Sequence, residues 1–350
     1  MITLYCGLNE TNWNHHPVAP GSHACVAPVY GKSLRTKQVN RVVVPPETRV
    51  IQDSGAFSDG PGQRLSYESA LDRQLAHATR YNYANTMEAL ASYDLLIDEK
   101  WQNGERNKQR WSRAEADLAV RQTVNAAAYL NTQRRRLRLH FGRPMPLVLS
   151  AQGVEVEQYL ACATRIVPYL QAGDIFGLGG WCITGLQPSA VLPSFREIMQ
   201  TVIPYLGTQG VKRAHIWGMI YPDALGELAY LCDQAGIHLS TDSSGPCFNP
   251  IRPSWGYGSW RDTSYTIPPI LASCHVRDAS GNKAPICEHG TFCRGLERIR
   301  HVELTRDYLV NFAAREPLKY RSEPFVRPTY VQESWFALEG VSCVTGSPSD

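Results

Sequence analysis

The chain has 350 residues, 43% of them hydrophobic, 19% charged and 10% aromatic, with a formal net charge of +3. That composition excludes an intrinsically disordered chain and supplies enough apolar material for a sizeable core. The start, Met1-Ile2-Thr3-Leu4-Tyr5-Cys6-Gly7, lacks the basic flank and apolar stretch of a signal peptide, and no apolar run approaches the roughly 20 residues that span a bilayer, so a cytoplasmic protein without a membrane partner is expected.

From about residue 43, short β-branched runs alternate with longer segments of helical period. Residues 42–44 and 50–53 read as strand material, residues 66–83 as helix, and residues 93–98 as the next strand. A helix then opens at Ser112, whose partner Glu115 completes a Ser-x-x-Glu capping box. Residues 147–150 form a strand, and Val156, Tyr159, Leu160, Ala163 and Val167 recur at helical spacing. Residues 175–177 are a strand, Phe195, Ile198, Met199, Val202 and Leu206 a helix, residues 214–217 a strand, Leu225, Leu228, Ala229 and Cys232 a helix, and residues 238–241 the last strand. This alternation implies parallel βαβ units. With further candidates near Leu4 and at 27–29 it suits a closed (β/α)8 TIM barrel, and a doubly wound open sheet is the alternative, because periodicity does not show closure. Residues 1–245 are read as the main part of the barrel, 246–320 as its end with a Cys/His zinc subdomain and a helix at 303–312, and 321–350 as a tail.

In such a barrel the chemistry sits where strands end. Here those ends carry Asp53-Ser54-Gly55-Ala56-Phe57, Asp98-Glu99, Gln152-Gly153, Gly177-Leu178-Gly179-Gly180, Trp217-Gly218 and Thr241-Asp242-Ser243-Ser244-Gly245. Each alone reads equally as a turn or a helix cap. Together they place three aspartates, a carboxamide and glycines in register with the strand period.

The order and local sequence of these segments resemble the tRNA-guanine transglycosylase superfamily over roughly residues 40–310. Asp53 to Phe57 is similar to its Asp-Ser-Gly-Gly-Phe segment, Asp98-Glu99 to its Asp-Glu, Gln152-Gly153 to its Gln-Gly-Gly, Gly179-Gly180 to its base-binding strand end, and Thr241-Asp242 to its nucleophile segment. The chain departs from the tRNA enzymes at Ala56, at Trp181 to Gly185, at Gly245-Pro246-Cys247 in place of Pro-Thr-Arg, and in lacking the close Cys-x-Cys-x-x-Cys run. These departures favour the DpdA-type DNA-guanine transglycosylases, which exchange guanine in DNA for a 7-deazaguanine. A tRNA enzyme and a non-catalytic accessory subunit are the other readings.

The resemblance implies double displacement: Asp242 as nucleophile, Asp53 as general acid and base. It assigns Asp98 to the donors on the pairing edge of guanine, Gln152 and the backbone at Gly179 and Gly180 to the carbonyl edge, and Phe57 and Trp217, with Gly218, to stacking around a flipped base. DNA and a 7-deazaguanine are then the partners, with an accessory protein of a DNA-modification system as a further one. Arg134, Arg135, Arg136 and Arg138 form a basic run that, with Arg252 and Arg261, is a candidate nucleic-acid contact; as a charge run it also reads as a solvated helix end. The superfamily's zinc implies a structural Zn2+ on Cys274, Cys287, Cys293 and His301, with His275 and His289 as substitutes. A metal-dependent barrel hydrolase would need ligands at strand mouths, whereas His215 and His238 fall inside strands.

Overall fold

A computed structural model describes residues 2–8, 23–28, 48–56, 59, 64–97, 100–102, 105–107, 111–182, 188–219 and 222–243. Eight parallel strands close a barrel: β1 (Ile2–Leu8), β2 (His23–Val26), β3 (Val50–Gln52), β4 (Met87–Ala91), β7 (Leu147–Ala151), β8 (Ile175–Leu178), β9 (Arg213–Ile216) and β10 (His238–Ser243). A separate antiparallel pair, β5 (Lys100–Gln102) and β6 (Glu105–Asn107), lies between β4 and β7 in sequence. The ring runs β1-β10-β9-β8-β7-β4-β3-β2, and β1 closes it by pairing with both β2 and β10. The open sheet is therefore excluded.

The outer helices are α1 (Tyr67–Arg80), α2 (Arg113–Thr132), α3 (Arg134–Phe141), α4 (Val156–Ile166), α5 (Pro188–Thr208) and α6 (Pro222–Gln234). Local sequence sets their starts. Ser66 caps α1 by accepting from the Ser69 N–H at 3.1 Å, and the Ser112 N–H donates to Glu115 at 2.8 Å at the head of α2. The strands are covered on both faces, and all of β7 and β8 is buried. One large apolar layer, including Leu71, Leu147, Phe176, Phe195 and Leu225, fills the space between barrel and helices. A smaller cluster fills the lumen: Tyr5, Cys25, Ile51, Ala89, Ala91, Val148 and Ile175, with Trp217 against it.

Residues 93–97, the described part of the expected strand at 93–98, are not a strand. The strand lies earlier, at Met87–Ala91, and residues 92–97 leave its C-terminal end. Glu88 and two alanines are poor strand formers, whereas the Tyr-Asp-Leu-Leu-Ile run is mostly apolar and carries an aromatic and a β-branched residue, so propensity pointed to the wrong window. Glu88 is an extra residue in the ladder, since Val50 pairs with Met87 and Ile51 with Ala89. The candidate at 27–29 is likewise earlier, at His23–Val26, and residues 42–44 lie outside the described residues.

Candidate active site at the barrel mouth

Strand register sorts the lumen into tiers. Ser150, Gly177, His215, Ser240 and Thr3 are neighbours across successive strands. Because side chains on one face of a strand repeat every second residue, the tier nearer the C-terminal mouth is Gln152, Gly179, Trp217, Asp242 and Tyr5. Asp53 stands on the same side of β3 as Ile51 and completes that upper tier.

The Asp53 N–H extends the ladder by donating to the Val26 carbonyl at 2.9 Å. Its Oδ1 accepts from the Ser54 N–H at 2.6 Å. Gly55 has φ +79°, and a Cβ there would stand 2.7 Å from Arg73 Nη2. Arg73 has no room to yield, being bidentate to Asp59 at 2.8 and 2.9 Å and bonded to the Ser54 carbonyl at 3.0 Å. The Ser-Gly pair is thus required by the turn that aims Asp53. From α1, Gln74 Nε2 ties the carbonyls of Asp53 and Ala91 at 3.1 and 3.0 Å, fixing the ends of β3 and β4 together. Burial, followed by the neighbouring charge of Asp242, pushes the Asp53 carboxyl up to about 6, against the Ser54 and Gly55 N–H groups, which lower it.

Asp242 is held by one oxygen. Its Oδ1 accepts from the Gly218 N–H at 2.8 Å and lies 3.2 Å from His215 Nε2, while no described residue bonds Oδ2. Gly218 has φ +64°, and a Cβ would come within 2.7 Å of Cys182 Sγ. Its N–H thus lies against the Asp242 carboxylate.

Beside this pair lies a recognition corner. Gln152 is fully buried and its Nε2 donates to Asp94 Oδ2, while Gln152 Oε1 is buried with no partner among the described residues. Burial, then the charge of Asp53, pushes Asp94 up to about 7, although Arg64 pulls the other way. Arg64 also donates to the Asp94 carbonyl at 2.8 Å and lies over the Tyr93 ring at 4.5 Å. A Cβ on Gly179 would stand 2.8 Å from Gln152 Cγ. The Gly179 N–H is spent on the Ala151 carbonyl at 2.9 Å, so this glycine acts by lacking a side chain rather than by donating. Gly180, at φ +87°, would press a Cβ against Ile97. Trp217 donates its indole N–H to Ser150 Oγ at 2.9 Å and meets His215 edge-on at 4.4 Å, forming the floor of the mouth. That floor needs Gly177, whose Cβ would fall 2.5 Å from Ser150 Oγ.

The structure thus brings together Asp53, Asp242, Gln152, Gly179, Gly180, Trp217 and Gly218. Phe57, Asp98, Arg252, Arg261, Cys274, Cys287, Cys293 and His301 lie outside the described residues, and no metal-binding cluster occurs among the described ones. Asp94 is the residue that sequence reasoning missed. Its signal was the pair Tyr93-Asp94 just past a strand end, hidden by placing that strand too late. The basic run sits at the other end of the barrel. Arg134 is paired with Asp174 at 2.5 Å; Asp174 directly precedes β8 and also accepts from the Leu147 N–H at 2.8 Å, at the start of β7. Arg136 pairs with Asp72 on α1, while Arg135 and Arg138 are exposed. A nucleic acid bound there would be remote from the carboxylates.

The mouth therefore offers a shielded carboxyl able to give and take a proton near neutrality, an oriented carboxylate with a free oxygen, and a buried acceptor corner floored by an aromatic ring. Compared with known proteins, the chain matches no family model and no curated protein.

Proposed function

We propose that this protein is a guanine transglycosylase that exchanges guanine in DNA for a 7-deazaguanine base, such as 7-cyano-7-deazaguanine. The observation that carries the reading is the inequality of two carboxyls sharing one mouth. Asp53 is pushed up by burial and by Asp242, while Asp242 is anchored through Oδ1 alone. Replacing a base without cutting the strand needs such a pair, one group to hold the sugar and one to manage the proton.

In the first displacement Asp242 Oδ2 bonds to the sugar C1′ as the C1′–N9 bond breaks. The electron pair leaves with guanine, which takes the Asp53 proton. In the second, the incoming base gives its N9 proton to Asp53, N9 bonds to C1′, and the ester bond to Asp242 breaks. Asp94 and Gln152 take the pairing edge of the flipped base: an ionised carboxylate accepts from its N–H groups, and the Gln152 amide turns to whichever partner the base presents. Asp98, the carboxylate assigned by resemblance, lies outside the described residues; among those described, Asp94 is the carboxylate that meets Gln152.

The deciding experiment offers labelled 7-cyano-7-deazaguanine with guanine-containing DNA and with tRNA, followed by mass spectrometry of the digested nucleosides. Label in DNA is the expected result. Label in tRNA alone would move the protein to the tRNA branch, and binding of nucleic acid with no exchange would make it an accessory subunit. Zinc on Cys274, Cys287, Cys293 and His301 is part of the same proposal and rests on the sequence. Elemental analysis of active protein should give about one equivalent of zinc, and less than about a tenth would retire it.

A further inference from the structure

One tier below the proposed nucleophile lies a residue that no step above uses. His215 is fully buried in β9, with Nδ1 2.9 Å from Ser240 Oγ and Nε2 3.2 Å from Asp242 Oδ1. The Ser240 hydroxyl has one proton and two acceptors within reach, the Ala214 carbonyl at 3.2 Å and His215 Nδ1 at 2.9 Å. A neutral ring that receives it at Nδ1 carries its own hydrogen on Nε2. At the far nitrogen, a ring lone pair and a carboxylate oxygen would repel, so the Nε2···Oδ1 contact needs a proton between them. The other groups around the ring supply none: Trp217 and Tyr5 meet it edge-on with ring centroids at 4.4 and 5.8 Å, the Tyr5 hydroxyl is turned to Glu88, and the titratable described residues beyond Asp242 are Asp53 and the thiol of Cys25.

We infer that His215, locked by Ser240, is the positioning residue for Asp242: its ring N–H holds Oδ1 and leaves Oδ2 as the oxygen that attacks. This rests on the reading of Asp242 as nucleophile. When Oδ2 is bonded to C1′, Oδ1 becomes the ester carbonyl oxygen. As the ester bond breaks, negative charge returns to Oδ1, where the His215 Nε2–H and the Gly218 N–H already point. The two donors thus act as a built-in oxyanion site for the leaving carboxylate, with no net proton transfer by the ring. Gly218 supplies its donor from the backbone, so the side-chain donor is the one that substitution can remove.

The test compares His215→Phe, His215→Gln and Ser240→Ala with the parent and with Asp242→Ala, measuring exchange into DNA, guanine binding and thermal unfolding. His215→Phe should lower the exchange rate by about 10²- to 10³-fold, the usual loss of one such donor, with guanine binding unchanged. His215→Gln, whose amide reaches near the Nε2 position, should recover most of that loss. Nitrogen-15 spectra of the histidine ring, which need no turnover, should show a protonated Nε2 and a bare, hydrogen-bonded Nδ1 in the parent, with the Nδ1 signal moved in Ser240→Ala. Exchange in folded His215→Phe within a few-fold of the parent, or a bare Nε2 in the parent, would overturn the inference. Activity in Asp242→Ala would instead sink the reading of the nucleophile on which it rests.

Discussion

The two ends of this barrel bury carboxylates in opposite ways. At the N-terminal end Glu88 accepts from the Tyr5 hydroxyl at 2.5 Å, bonds Arg213 and lies 3.8 Å from Arg49. Burial alone would raise its carboxyl, but the Tyr5 hydrogen bond and the Arg213 charge outweigh that and hold it below the ordinary carboxylate range. At the C-terminal end Asp94, Asp53 and Asp242 are neighbours of one another, and the first two are pushed up. Cys25, on the wall between them, has its thiol pushed far up by burial and then by Asp242 and Asp53, so it stays neutral. The floor spends its charges on stability. The mouth keeps its charges in conflict, as the proposed exchange of protons near neutral pH requires.

The strongest way to break this contrast is at the mouth. Asp242→Ala and Asp53→Ala should each reduce exchange by about 10⁴-fold or more while leaving a cooperative thermal transition, because the two residues act as a unit. Activity near that of the parent in either purified variant would remove the mechanism. At the floor the effect should reverse. Glu88→Ala strands the Arg213 guanidinium and the Tyr5 hydroxyl inside the barrel, and should cost about 3 kcal/mol of stability with the turnover of the remaining folded protein unchanged. Loss of turnover without loss of stability would mean that the floor is not merely structural.

A subtler test uses pH. The Asp94 value of about 7 in the folded protein stands above its unfolded value, so its contribution to stability is fully present below the unfolded value and is lost as pH rises through about 7. Asp94→Asn lacks this penalty. It should unfold at higher temperature than the parent at pH 8, by the equivalent of about 2 kcal/mol, and the advantage should vanish near pH 4. The same variant should bind guanine more weakly above about pH 7, where the parent's Asp94 is ionised, and the difference should narrow as pH falls. A variant no more stable than the parent at pH 8 would mean that Asp94 is not under charge stress.

Much of this was legible in the chain. The strands at 50–53, 147–150, 175–177, 214–217 and 238–241 fell where β3, β7, β8, β9 and β10 stand, to within a residue or two, because β-branched runs bounded by glycine and helical stripes leave few other readings. Asp53, Gln152 and Asp242 were found because they directly follow or end such strands. Asp94 was not, because the alanine-rich β4 carries a bulge and little strand propensity of its own. Trp217 and Gly218 were found as residues, but their partners were out of reach. Ser150 and Asp242 are distant in sequence and meet them only in the ring, Ser150 from β7 across β8 and Asp242 from the neighbouring β10.

By itself, then, the sequence determined the alternation of elements and the polar chemistry at the strand ends, since both are local: a period of two or of 3.6 is written in consecutive residues. Closure was decided only by the tertiary structure, when β1 paired with both β2 and β10. So was the register that stacks Ser240 and His215 beneath Asp242 and sets Asp94 against Gln152. The physical reason is that a carboxyl's proton affinity depends on what lies within a few ångströms in space. Those neighbours come from strands far apart in the chain, and until the ring closes nothing fixes whether a buried aspartate faces an arginine or another aspartate.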